Sequence, residues 1–434
     1  MCLAASSSTS AAVPHPLAPV RVRSSPHRAC QKPKPLNTPA MLLLASDCLG
    51  LSPDVALSLA QDLYLAELIT YPRSETTVYD PDLDLEDLVT GIGDGTVAWR
   101  PSPECASFAR DLLSHGLHAP RHDGMDMGDH APVMPVKGAG ARAPRRYADA
   151  AASLYDLIVR VFLASVAPDA QIEETELLLE SPLGGRGSFR AKGTRVGDLG
   201  WITILPVVEV EDAPLPKDFI QAAQQEHGLQ VQRVSVVRFE GECPKRLTEA
   251  GLLELMDAHG IGTDASMPQH VKKIIERRYA KVVVTDRLAR PQGVQAEYVP
   301  EHWYRTLRDM YPTSQGSILY RWFMLADEDL VLPSVRANVE ATGLRISRGE
   351  ASAKEWRHKF NNLFRLKFEK LFMSYEHASI CEILIRFMRL SPQERQRDPA
   401  WQRAESLIRR AKLQDMAEQR KNILEERRAR PGAA

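Results

Sequence analysis

Cysteine is scarce in this chain and unpatterned. Its six cysteines, at positions 2, 30, 48, 105, 243 and 381, include no C-x-x-C pair. That spacing indicates neither a structural zinc site nor a disulfide framework, and it suits a reducing compartment. Long apolar runs are absent too. The stretch Met41–Ala45 falls far short of the roughly 18 residues that mark a membrane span, so no membrane partner is expected. Net charge is nearly zero, at −1, which argues against a uniformly basic nucleic-acid binder. No acidic residue precedes Asp47, and there is no short internal repeat. What remains is a chain of 434 residues, 44% hydrophobic, long enough for about three domains with sizeable cores.

The most informative stretch is Leu68-Ile69-Thr70-Tyr71-Pro72-Arg73-Ser74-Glu75-Thr76. Pro72 fixes its own φ and disfavours the helical region for Tyr71, so the segment is extended there. In an extended segment residues two apart share a face, which lets Tyr71 and Arg73 address one target. A phenol with its ordinary pKa of about 10 is a weak nucleophile near neutrality. A guanidinium beside it stabilises the phenolate and can hold a phosphate oxygen. Those two groups are the minimum for attack on a phosphodiester. Taken alone, the stretch also reads as a Tyr-Pro turn at a helix end with a solvated arginine.

Two further motifs follow in order. One is Gly128-Asp129-His130-Ala131-Pro132-Val133-Met134-Pro135. The other is Leu247-Thr248-Glu249-Ala250-Gly251-Leu252-Leu253, running on to His259-Gly260-Ile261-Gly262-Thr263-Asp264-Ala265-Ser266. With these the chain resembles the type IA DNA topoisomerases, most closely the eukaryotic topoisomerase III beta branch. That family writes the motifs S-Y-P-R-T-E-T, D-H-P-P-I-x-P and L-T-E-A-x-L-I…G-I-G-T-D-A-S. Lys34-Pro35-Leu36-Asn37-Thr38 leading to Leu63-Tyr64, and Glu328-Asp329-Leu330-Val331-Leu332-Pro333-Ser334-Val335-Arg336, are similar to two further family segments. The resemblance covers roughly residues 32 to 375.

The resemblance implies an α+β, mainly helical fold: part of the type IA padlock, with a tyrosine domain, a β-rich arch and a helical base. The expected segments are a disordered basic extension over 1–31, a helical tyrosine domain over 32–168, a β-rich arch segment over 169–240, a helical strand-binding base over 241–375 and a charged helical tail over 376–434. The family's toprim domain, with its acidic metal site and catalytic lysine, is expected to be missing from this chain. So are the zinc-binding cysteines and basic Gly-rich tail of many eukaryotic relatives.

Residue by residue, the resemblance makes Tyr71 the nucleophile that forms a 5′-phosphotyrosine on a single strand. Arg73 holds the scissile phosphate, and His130 contacts phosphate or orients the site. Glu75 and Asp129 are supporting candidates; Glu75 could hold Arg73 or cap the loop, and Asp129 could partner His130. Ser74 stands where the family has threonine, and Ala131 where it has proline. Gly262, Thr263, Asp264 and Ser266 match a strand-binding turn at a helix start, with Lys272 and Lys273 on the following helix. Magnesium is the implied cofactor, and ATP is not needed. The D-x-D pairs Asp82–Asp84 and Asp327–Asp329 are not assigned to it, so no metal ligand is expected in this chain. Single-stranded DNA, and RNA in the beta branch, are the implied substrates. A RecQ-type helicase or a Tudor-domain scaffold is the implied partner, in DNA recombination and repair. The implied location is the nucleus; the acid-free, Ser- and Arg-containing N-terminus leaves an organelle as the alternative.

Two functional classes stand: an ATP-independent topoisomerase, and a non-catalytic single-strand-binding fragment that keeps the tyrosine domain without toprim. A tyrosine recombinase fits less well, since its nucleophile lies near the C-terminal end, behind several basic catalytic residues.

Local signals place helices and strands. Ser52-Pro53-Asp54 starts a helix running to Tyr64. Tyr155–Ala164 repeats its apolar residues at helical spacing. Residues 175–180 and 229–237 have strand-like composition or alternation. Thr248 is a candidate helix cap. Between Lys272 and Arg290 seven basic residues face two acidic ones, a stripe that suits phosphates or a solvated helix face.

Overall fold

A computed structural model of the chain describes residues 16–99, 101–137, 148–180, 188–208, 210, 212–224, 229–230, 246–263, 266–286, 303, 306–376 and 397. The chain forms two compact units. The first comprises Met1–Arg246 with Val284–Arg308, and the second Leu247–Val283 with Asp309–Ala434.

The first unit opens with strand β1 (Pro16–Cys30), then helices α1 (Thr38–Leu49), α2 (Pro53–Leu65), α3 (Leu85–Asp94), α4 (Pro103–His115) and α5 (Ala148–Ser165). Strands β2 (Ala170–Glu180) and β3 (Ser188–Asp198), a 3-10 turn at Gly200–Thr203, α6 (Lys217–Gln224) and β4 (Leu229–Gln230) follow. The helices begin where side chains satisfy free backbone amides. Asn37 accepts from the Ala40 amide, Asp84 from Asp87 and Ser102 from Cys105. Prolines stand in the first turns of α1, α2 and α4, where a missing N–H costs nothing.

Helix α5 forms the centre of the core. Leu154, Tyr155, Leu157, Ile158, Val159, Val161, Phe162 and Leu163 are all buried there, and α1, α2 and α4 pack against it. Each such side chain contributes about 1.5–3 kcal/mol on leaving water. One ion pair lies within this apolar helix: Arg160 Nε donates to Asp156 Oδ2 at 2.6 Å, one turn apart, and Nη1 reaches the Ile204 carbonyl at 3.1 Å.

The sheet is antiparallel, in the order β3-β2-β1-β4. Here an expectation is corrected. Residues 16–30, assigned to a disordered extension, form β1, paired along β2 from Ala18↔Glu180 to Cys30↔Ala170. The prolines of this segment do not exclude a strand with irregularities. The register shifts fall between Pro19 and Arg21 and between Ser25 and Arg28, beside Pro19 and Pro26. Bulges are where a residue without an N–H is tolerated. The strand expected over 229–237 is seen as Leu229–Gln230; its remainder lies outside the described residues.

The second unit contains α7 (Glu249–Ala258), α8 (Met267–Glu276), α9 (Ser314–Ala326), a 3-10 turn at Glu328–Leu330, α10 (Pro333–Ser347) and α11 (Ala353–Glu376). Strands β5 (Ala280–Asp286) and β6 (Thr306–Pro312) pair as a two-stranded ribbon. Thr248 caps α7 through the Gly251 amide at 3.0 Å. Asp327 caps the 3-10 turn and is gripped by Lys367 at 3.3 Å and Lys370 at 3.1 Å. The tail expected over 376–434 lies outside the described residues except for Glu376 and Arg397.

Candidate active site

Helix α2 ends in a Schellman turn. The Leu68 amide donates to the Leu63 carbonyl at 3.0 Å and Glu67 to Tyr64 at 2.8 Å. Glu67 takes the left-handed position at φ 58°, which an L residue adopts at a cost. The turn sends Leu68 and Ile69 into the core and delivers the chain to Tyr71.

The second motif runs antiparallel beside this segment. Ile69 bridges Pro135; the Thr70 amide donates to the Met134 carbonyl at 3.0 Å, and the Val136 amide to Leu68 at 3.2 Å. Thr70 Oγ1 donates to Pro132 O at 2.7 Å and accepts from the Met134 amide at 3.0 Å. Val133 is fully buried and anchors the strand.

That pairing brings Tyr71 and His130 together. Their ring centroids are 4.5 Å apart, edge to face at 62°. Tyr64, on the last turn of α2, meets Tyr71 from another side at 5.2 Å and 75°. Tyr71 is half-buried and His130 exposed. Arg73 is half-buried, and its Nε is buried without a hydrogen-bond partner. A guanidinium N–H with no protein acceptor, two residues on from Tyr71 in the chain, has the chemistry to meet an anion.

The loops are fixed by hydroxyls. Ser74 Oγ donates to the His130 carbonyl at 2.8 Å, so the position of His130 is held despite Ala131 standing where the family has proline. Asp129 does not serve the imidazole as expected; its carboxylate ties down the neighbouring loop. Oδ1 accepts from Thr76 Oγ1 at 2.6 Å and Oδ2 from the Glu75 amide at 3.1 Å. Burial would raise the Asp129 pKa, but the Thr76 hydroxyl and backbone amides outweigh it and hold the carboxyl below its ordinary range. The Met127 amide donates to Thr76 Oγ1 at 3.1 Å, and Met125 and Thr77 exchange bonds at 2.9 Å. Gly124 is needed at this contact, because a Cβ there would lie 2.3 Å from the Thr77 carbonyl.

Sequence reasoning assigned no role to Thr38, Tyr64 or Thr76. All three lie within the motifs that carry the resemblance, but nothing in the spacing indicated that Thr38, more than thirty residues upstream, reaches Pro72 O and Ser74.

In the second unit Gly262 has φ 89°, and a Cβ there would meet Met267 Cγ at 2.8 Å. The Thr263 amide donates to Ser266 Oγ at 2.7 Å, while the Ser266 and Met267 amides donate to the Thr263 carbonyl. Ser266 occupies the cap position of α8, yet its hydroxyl is turned to Thr263. Asp264 lies outside the described residues. Lys272 and Lys273 are exposed on α8. The basic stripe is not one helix face: α8 ends at Glu276, Arg278 takes φ 57° in the turn, and Lys281 lies on β5, its ammonium 5.8 Å from the Tyr311 ring. Arg287 and Arg290 lie outside the described residues. The tyrosine group belongs to the first unit and this turn to the second.

A family model described as DNA topoisomerase matches residues 10–358. DNA topoisomerase 3-beta of Arabidopsis thaliana is 31% identical over 351 residues, covering 80% of this chain and 35% of that protein. Human DNA topoisomerase 3-beta-1 is 31% identical over 352 residues, 81% of this chain and 36% of its own length. Full-length topoisomerase I from Thermotoga maritima shares the fold, with a TM-score of 0.53 at 21% identity over 82% of this chain and 53% of that one. The chain thus spans about a third of the length of the curated relatives it matches.

Proposed function

The chain belongs to the DNA topoisomerase family, and from that premise we propose that it breaks and rejoins one nucleic-acid strand through a covalent bond to Tyr71. The phenol oxygen attacks the backbone phosphorus, and the bond from phosphorus to the 3′ oxygen breaks. The phenol loses its proton and the leaving oxygen gains one, giving a 5′-phosphotyrosine and a free 3′-hydroxyl. The phosphodiester energy stays in the new bond, so the 3′-hydroxyl can attack in reverse without ATP. Between the two steps another strand can pass.

The reading is carried by the meeting of Tyr71 with His130 at 4.5 Å, together with Arg73, two residues on in the chain, whose buried Nε has no protein partner. In this reading Arg73 holds the scissile phosphate and stabilises charge on it. His130 contacts that phosphate or keeps the phenol in place, and Asp129 with the Glu75 backbone fixes the loop between them. Gly262, Thr263, Asp264 and Ser266 receive the strand backbone at the start of α8, with Lys272 and Lys273 along it. Single-stranded DNA is the substrate, with RNA a second one. A RecQ-type helicase or Tudor-domain scaffold as partner, and a nuclear location, belong to the same reading. The family implies magnesium. Among the described residues no group of three or more His, Cys, Asp or Glu converges, so these residues do not fit a magnesium site and no step is routed through the ion.

The test is covalent trapping. The full chain is mixed with a single-stranded oligonucleotide labelled at its 3′ end and magnesium, then denatured. Label is expected on the wild-type protein and not on Tyr71→Phe, which should still bind the strand. Arg73→Ala should lower adduct yield about 10²-fold with little effect on folding. An adduct on Tyr71→Phe would refute the assignment. Strand binding by the wild type with no adduct would favour the non-catalytic binding reading.

A further inference from the structure

Thr38 stands at the first residue of α1 and is fully buried. Its hydroxyl donates to the Pro72 carbonyl at 2.7 Å and accepts from the Ser74 amide at 2.8 Å. Its own amide donates to the Ser74 carbonyl at 2.9 Å. One residue therefore holds the peptide group on each side of Arg73 and the carbonyl that follows. Arg73 Nε is buried and donates to no protein acceptor, so no protein hydrogen bond fixes that atom of the guanidinium. We infer that Thr38 is a positioning residue for Arg73: by clamping both flanking peptides it sets the backbone from which the guanidinium meets its ligand. This rests on the strand-cleavage reading for the identity of that ligand, a backbone phosphate.

The chemistry makes the clamp hard to replace. Valine has the shape of threonine but would leave the Pro72 carbonyl and the Ser74 amide buried and unsatisfied. The segment would then turn to find other partners and carry Arg73 with it. A displacement of about 1 Å at a reacting centre costs up to about 100-fold in rate. Serine keeps the hydroxyl and should keep the clamp.

The experiment is a double-mutant cycle on the full chain, with hydrogen exchange as a second readout. Thr38→Val should lower affinity for a single-stranded oligonucleotide and adduct yield by about tenfold or more, and Thr38→Ser should stay within about twofold of wild type. In an Arg73→Ala background Thr38→Val should change neither further, because the residue it positions is gone. Equal losses in both backgrounds would make Thr38 merely structural and overturn the inference. Exchange should rise at the amides of 73–76 in Thr38→Val, but not in Thr38→Ser or elsewhere in the first unit; unchanged exchange at 73–76 overturns the clamp even in a protein that binds. If the wild type neither binds nor cleaves the oligonucleotide, the topoisomerase reading fails, and the exchange result alone decides the clamp.

Discussion

At Asp129 one carboxylate reaches two residues of the tyrosine loop, and its position in the chain gave no sign of this. Its place before His130 suggested a partner for the imidazole, but the chain bends at Gly128 and Asp129. The carboxylate crosses to Thr76 Oγ1 and the Glu75 amide instead. Tyr71, Arg73 and His130 were legible as residues because their neighbours form recognisable motifs. The groups that hold them, Thr38, Ser74 and Thr76, are short hydroxyls whose partners lie 36, 56 and 53 residues away, and no local pattern encodes such a pairing. Asp129 carries a pH prediction. Its folded pKa is lowered, chiefly by the Thr76 hydroxyl and backbone amides working against burial. A lowered carboxylate contributes stability above its unfolded pKa of about 3.9 and loses it as pH falls through the folded value. Protection from hydrogen exchange at 75–76 and 125–130, taken relative to a free amide at each pH, should therefore be flat from neutrality to about pH 4 and fall below it. Asp129→Asn should remove that acid dependence; an acid limb that persists in the variant would place the titrating group elsewhere.

Helix endings show where local signals inform and where they fail. Helices α7 and α10 end in Schellman turns with glycine at the left-handed position, Gly260 at φ 61° and Gly349 at φ 74°. Glycine after an apolar repeat is a readable stop signal. Helices α2 and α8 end the same way with Glu67 at φ 58° and Arg278 at φ 57°, where no glycine marks the turn. The proline starts and the Thr248 cap were readable because those residues act on their own segment. Strand β1 was not, because it exists by pairing with β2 more than a hundred residues later. The left-handed Glu67 lies four residues before Tyr71, so its strain is stored at the entrance to the candidate site. Glu67→Gly should relieve it and stabilise the first unit by about 0.5–1 kcal/mol, the left-handed penalty less the added chain entropy. Thermal unfolding would report this as a raised midpoint. A lowered midpoint would mean that the exposed Glu67 side chain contributes more than its backbone costs.

Across the whole molecule charge is balanced, with 55 basic and 56 acidic residues, so attraction to a nucleic acid cannot come from net charge. It has to come from places where basic groups stand together. The strand-binding role proposed for the turn before α8 makes it one such place, and Lys272 and Lys273 are exposed on the helix that follows. The stripe they open is broken by the end of α8 at Glu276, which directs later basic residues elsewhere and limits how many phosphates one face can meet. Each lysine that neutralises a single-strand phosphate contributes about 0.7 to the slope of log affinity against log salt. Lys272→Ala and Lys273→Ala should each flatten that slope by about this amount, and the double variant by about twice as much. The loss should be independent of base sequence, since phosphates carry none. Oligonucleotide titrations over a salt series measure the slope directly. A double variant with reduced affinity but an unchanged slope would show that these lysines act through the fold of α8 and not through contact with the strand.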